Sequence, residues 1–126
     1  MKIHRTVFAT SSFVGFHRWP EASGSRAYLA SEHRHLFGVT AEIEVGHDDR
    51  EVEFHDIATA LDRIPPGTFD TDRGGYDLGR SSCEDIAVNF AQVLNDDYPG
   101  RRITITVTED NECGARLTFT PERNMA

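Results

Sequence analysis

The stretch from His33 to Val45, HRHLFGVTAEIEV, limits what this chain can fold into more than any other. Positions 33, 35, 37, 39, 41, 43 and 45 are His, His, Phe, Val, Ala, Ile and Val, and the residues between them are mostly polar or glycine. Side chains along a strand point alternately to opposite faces, so a period of two specifies a half-buried strand. Its buried face opens on two imidazoles, which need a partner there.

The rest of the chain supplies neighbours for that strand. Ile3–Phe16 is rich in β-branched and aromatic residues and has no proline, which reads as a long first strand. Trp19–Arg26, with Pro20, Gly24 and two serines, reads as the loop between the two strands. Gly46–Arg50 is a turn. The segment around Asp56–Ile64 then places Ile57, Ala60, Leu61 and Ile64 on one helical face before Pro65-Pro66-Gly67 stops it. Thr68–Arg80, rich in glycine and aspartate, reads as a surface loop of functional interest whose internal structure the sequence does not specify.

A second helix follows. Ser81 or Ser82 can cap it, Glu84 and Asp85 suit its positive terminus, and Ile86, Phe90, Val93 and Leu94 form the apolar stripe up to Tyr98-Pro99-Gly100. Arg101–Glu109 and Ala115–Thr120 alternate as two more strands around an Asp110–Gly114 turn. The order β-β-α-α-β-β predicts an α+β domain, an antiparallel sheet with two helices on one face.

Bulk properties narrow the function. At 126 residues and 38% hydrophobic content the chain holds one core, so residues 1–126 read as a single domain. A formal charge of −8 argues against a nucleic-acid backbone binder. No apolar run reaches the roughly 18 residues of a membrane span, and the first twenty residues lack the apolar core of a signal peptide. The expectation is a soluble, cytoplasmic protein with neither nucleic acid nor membrane as partner. Its two cysteines, Cys83 and Cys113, do not form a Cys-x-x-Cys pair and read as buried or bystander thiols.

On a strand, the side chains of residues i and i+2 project from one face about 7 Å apart, so His33 and His35 can lean onto one ion with bonds of about 2.0–2.1 Å. A hairpin between the first two strands brings His17 opposite them. Three neutral nitrogens with an open fourth position describe a catalytic-type zinc site. The plain alternative for His17 is a hydrogen-bonded histidine at a strand end. Glu109 continues the inward phase of Ile103, Ile105 and Val107, so a carboxylate ends an apolar face and should meet something polar. An exposed strand-end acid is the alternative.

Taken in order, FVGFH, HRH before an aliphatic strand, REVEFHDIATAL, SSCEDIA and VTED resemble the 6-pyruvoyl- and 6-carboxytetrahydropterin synthases. The resemblance spans nearly the whole chain. It implies the tunnelling fold, whose units assemble into rings, commonly trimers stacked into hexamers, with sites between subunits. It also implies zinc (Zn2+) held by His17, His33 and His35, and a pterin whose amino-pyrimidine edge is anchored by Glu109. Ser82 and Cys83 would add hydrogen bonds to the ring, although helix capping alone also explains Ser82.

The departures are equally specific. The family's catalytic cysteine lies four residues before the first histidine of the pair, where this chain has Leu29; a variant glutamate, three before it, meets Ala30. The family's Asp-His pair has no equivalent, because no histidine follows His55. Glu32, Asp77 and His55, with Tyr76, are the candidate acid–base replacements. Arg18, Arg26, Arg34 and Arg80 read as surface residues unless a triphosphate draws some of them together.

Two functional classes follow. One is a divergent zinc lyase acting on dihydroneopterin triphosphate or a related reduced pterin, in tetrahydropterin or 7-deazapurine (queuosine-type) biosynthesis. The other is a non-catalytic module on the same oligomeric scaffold that binds a pterin, purine or nucleotide. A weaker third reading makes the zinc purely structural.

Overall fold

A computed structural model describes residues 1–122. Its strands are β1 (Arg5–His17), β2 (His33–Val45), β3 (Thr68–Asp70), β4 (Gly75–Gly79), β5 (Ile103–Glu109) and β6 (Cys113–Phe119). The helices are α1 (Phe54–Arg63) and α2 (Cys83–Asp97), with a 3-10 helix over Gly24–Ala30 in the β1–β2 connection. The six strands form one curled sheet in the order β3-β4-β1-β2-β5-β6.

The alternation in β2 is realised residue for residue. Phe37, Val39, Ala41, Ile43 and Val45 are buried, and they join Ile103, Ile105 and Val107 of β5 in one core with the inner faces of both helices. β1 and β2 pair antiparallel along their whole length, from Arg5 opposite Val45 to His17 opposite His33. β5 continues the sheet on the other side of β2, with Phe37 opposite Glu109.

Three expectations need correction. First, Thr68–Arg80 is not simply a loop: β3 and β4 form a hairpin there. Second, the sheet is not wholly antiparallel, since β4 runs parallel to β1 over Gly15–His17. An uncovered β1 edge would expose a row of unpaired backbone groups, and β4 covers its last residues. Third, Val93 is exposed on α2, and the buried stripe is Ile86, Ala87, Phe90, Ala91 and Leu94. The helix packs against β5 and β6.

Local chemistry explains the turns that frame the functional end. Ser82 caps α2 by accepting from the Asp85 amide, and the Asp85 carboxylate accepts from the Ser82 amide in return. Asp110 and Asn111, in the β5–β6 turn, take φ of 54° and 59°, a left-handed conformation that Asp and Asn tolerate better than most residues. Gly15 lies opposite His35; a Cβ there would stand 2.6 Å from Leu78 Cδ1 and 2.9 Å from the Phe37 ring. Only glycine lets β4 and the Phe37 ring close in around this end of β1.

Candidate metal centre

The β1–β2 register sets His17 opposite His33, and His35 follows two residues later on the same face. The three rings meet edge to face, with centroid separations of 4.6 Å (His17–His33), 5.0 Å (His33–His35) and 5.5 Å (His17–His35). One nitrogen from each lies within 4.8 Å of the others, close enough to hold a metal ion. The buried Phe37 ring forms the floor, edge-on to His17 at 5.2 Å and to His35 at 5.7 Å.

Each imidazole is already held through Nδ1. His17 Nδ1 is 2.9 Å from the Ser81 carbonyl, His33 Nδ1 is 2.9 Å from the Ser31 carbonyl, and His35 Nδ1 is 2.6 Å from the Asp110 carboxylate. A carbonyl or carboxylate oxygen only accepts, so each Nδ1 carries a proton, and in the neutral form of each ring Nε2 is the nitrogen left with a lone pair. Metal-binding histidines are oriented in this way.

His17 supplies the decisive observation. It is 8% exposed, and its Nε2 is the one buried side-chain nitrogen or oxygen without a hydrogen-bond partner among the described residues. Leaving such an atom unsatisfied costs about 1–3 kcal/mol. Burial also holds the His17 imidazole below the usual histidine range, against the opposing pull of the Ser81 carbonyl and Glu109. The neutral form is therefore favoured, which is the form that ligates a metal. The residues fit a bound cation.

Glu109 reaches the same point from β5. Its Oε1 lies 3.4 Å from His17 Nε2 and its Oε2 lies 3.3 Å from His35 Nε2. Cys83 donates to Oε1 across 3.6 Å. Burial, followed by the nearby Glu109 charge, pushes the Cys83 thiol up to about 12, so it remains a protonated donor and not a thiolate nucleophile. Asp110 is ionised: its carboxyl is held below the usual range by the His35 bond and by the Leu36 amide, which donates at 2.8 Å.

A cleft of about 540 Å³ opens beside the histidines. His17, His33 and Glu109 line it, together with Ser81, Ser82, Cys83 and Glu84 around the start of α2. Arg18, Trp19, Leu29 and Arg80 complete the wall, with Cys113 and Gly114 at the β6 end. Two of the four arginines singled out in the sequence thus converge here; Arg26 and Arg34 do not line the cleft. Arg80 also pairs with Glu21.

The candidate acid–base residues lie elsewhere. Glu32 pairs with Arg73, which bonds Asp70 at 2.7 Å. Asp77 accepts from the Gly79 amide at 2.9 Å. His55 is exposed at the start of α1, 3.0 Å from Glu53. Tyr76 packs edge-on to Phe13 and Phe69. None of these lines the cleft. Sequence reasoning missed the orienting groups Ser31, Ser81 and Asp110. Only Asp110 left a signal, a carboxylate directly after Glu109 in a tight turn.

No family model matches the chain, and no curated protein matches it. Solved structures do. An uncharacterized protein from Wolinella succinogenes superposes with a TM-score of 0.66 at 10% identity, over 92% of this chain and 98% of that one. The 6-pyruvoyl tetrahydropterin synthase of Caenorhabditis elegans superposes with a TM-score of 0.55 at 14% identity, over 95% of this chain and 97% of that one. At such identities the likeness shows the fold alone. The class is α+β, a tunnelling fold like that of 6-pyruvoyl tetrahydropterin synthase.

Proposed function

We propose that this chain is a zinc-dependent lyase acting on dihydroneopterin triphosphate or a related reduced pterin, of the 6-carboxytetrahydropterin synthase type and in tetrahydropterin or queuosine-type biosynthesis. The observation that carries the reading is the unpartnered Nε2 of His17, set among three imidazoles whose Nδ1 atoms are all engaged. His17, His33 and His35 would hold the zinc, which when bound polarises a substrate oxygen. Glu109 would accept hydrogen bonds from the amino-pyrimidine edge, and Ser82 and Cys83 flank it at the head of α2. Arg18 and Arg80 would face the phosphates, and Trp19 would supply an apolar wall for the ring. A cleft of about 540 Å³ is within the usual range for a small-molecule site. Self-association into trimers or hexamers is part of this reading.

Metal content per chain in untagged protein tests it first. The expected result is about one zinc per chain, reduced by His17→Ala, His33→Ala or His35→Ala and unaffected by His4→Ala or His47→Ala. Equal loss from all five would sink the site. Turnover of dihydroneopterin triphosphate by the zinc-loaded protein then tests the lyase.

A second reading has its own support. Leu29 lines the cleft where the resembled family has its cysteine, and Glu32, Asp77 and His55 do not line it. A non-catalytic pterin-, purine- or nucleotide-binding module fits the absence of these particular acid–base candidates from the cleft. Tight binding of a reduced pterin with no product would select it.

A further inference from the structure

The carboxylate of Glu109 stands where the reading of the three histidines leaves an open position. The edge of a tetrahedron whose centre-to-corner bonds are about 2.0–2.1 Å is about 3.3–3.4 Å. Oε1 of Glu109 is 3.4 Å from His17 Nε2, and Oε2 is 3.3 Å from His35 Nε2. Each carboxylate oxygen thus stands at this spacing from the Nε2 of one histidine, and the carboxylate as a whole spans two of the three.

The electronic arrangement agrees with the distances. In the neutral rings, the form that ligates a metal, the engagement of Nδ1 in His17 and His35 leaves a lone pair on each Nε2. That lone pair faces a carboxylate oxygen, which in its ionised form has only lone pairs to offer. Two acceptors turned toward each other at this range repel, and His17 Nε2 correspondingly forms no hydrogen bond with Glu109. A cation between them converts the repulsion into two attractive contacts. Cys83, whose Sγ donates to Glu109 Oε1, supplies the outer hydrogen bond that ligating carboxylates commonly have.

We infer that Glu109 is the fourth ligand of the centre, closing a shell of three imidazoles and one carboxylate in the absence of substrate. The inference rests on the metal-centre reading of His17, His33 and His35, and goes beyond it by giving Glu109 a bond to the metal. It also makes Cys83 a positioning residue, which acts through the carboxylate.

The probe is Co2+ loaded in place of zinc, read by its visible absorption and by its affinity in competition with a chelator. Glu109→Gln is expected to weaken Co2+ binding by about 100-fold or more, since loss of an outer hydrogen bond alone weakens metal binding by about 10–100-fold. It is also expected to shift the cobalt bands. Cys83→Ala is expected to weaken binding by about 10-fold, and Glu112→Gln, an exposed change in the β5–β6 turn, to leave bands and affinity as they are. Glu109→Asp withdraws the carboxylate by one methylene and provides a second variant, with folding checked by circular dichroism. Bands and affinity of folded Glu109→Gln and Glu109→Asp that match the wild type overturn the inference while leaving the three-histidine centre standing. Failure of the wild type to bind Co2+ or zinc at all overturns both.

Discussion

His35 donates its Nδ1 proton to the Asp110 carboxylate at 2.6 Å, across a sequence separation of 75 residues. The second oxygen of the same carboxylate accepts from the Leu36 amide at 2.8 Å. One turn residue therefore fixes both the backbone after His35 and the plane of its ring. Asp110→Asn is expected to weaken metal binding by about 10–100-fold without unfolding the chain, as measured by chelator competition with circular dichroism alongside. Unchanged affinity would mean that the His35 ring is held by packing against Phe37 alone.

Ser82 separates capping from ligand binding. Its hydroxyl accepts from the Asp85 amide at 3.1 Å, so Ser82→Ala is expected to cost about 1 kcal/mol in urea denaturation. If the capping bond is its whole role, binding of the reduced pterin proposed as ligand is the same in the variant as in the wild type; weaker binding in the folded variant would assign the hydroxyl to the ligand as well.

Gly15→Ala tests the close approach behind the histidines. The added Cβ meets Leu78 and Phe37 at distances no ordinary contact allows, and overpacking of this kind costs about 1–3 kcal/mol. Unchanged thermal stability would show that Leu78 yields freely.

The two thiols should react at different rates. Cys83 is buried and Cys113 exposed, so an aromatic disulfide reagent at neutral pH is expected to modify Cys113 quickly and Cys83 only on unfolding. Two equal fast phases would contradict the packing around α2.

An acid-sensitive bond lies at the far end of the sheet. Glu51 accepts from Arg101 and from the Gly46 amide, which lower its folded proton affinity below the ordinary value of 4.5. The unfolded chain then binds the proton more readily, so this contribution is fully present above about pH 4.5 and fades as pH falls through the lower folded value. Glu51→Gln should therefore reduce the urea midpoint at pH 7 and converge with the wild type as acidification passes the lower folded value. A gap that stays constant throughout the acid titration would assign the loss to packing.

Much of this architecture was legible because its signals are local. The period of two in His33–Val45 specified which face of β2 is buried, and the inward phase of β5 brought Glu109 to the functional end. The Ser82 cap and the His-x-His spacing needed only neighbouring residues. The β3–β4 hairpin was not legible, since glycine and aspartate mark turns but do not reveal that three- and five-residue strands flank them. Val93 was misplaced because helical periodicity gives the arc of an apolar stripe but not the side on which the sheet will lie.

The sequence by itself determined the strand alternation, the presence of the two helices and the three imidazoles at one end of the sheet, because covalent spacing and side-chain period set them. The tertiary structure alone decided what holds those imidazoles. The Ser81 carbonyl comes from 64 residues beyond His17, and Asp110 from 75 beyond His35. Hydrogen-bond partners so far apart meet only when β1, β2, α2 and the β5–β6 turn pack around Phe37. No local pattern encodes that meeting.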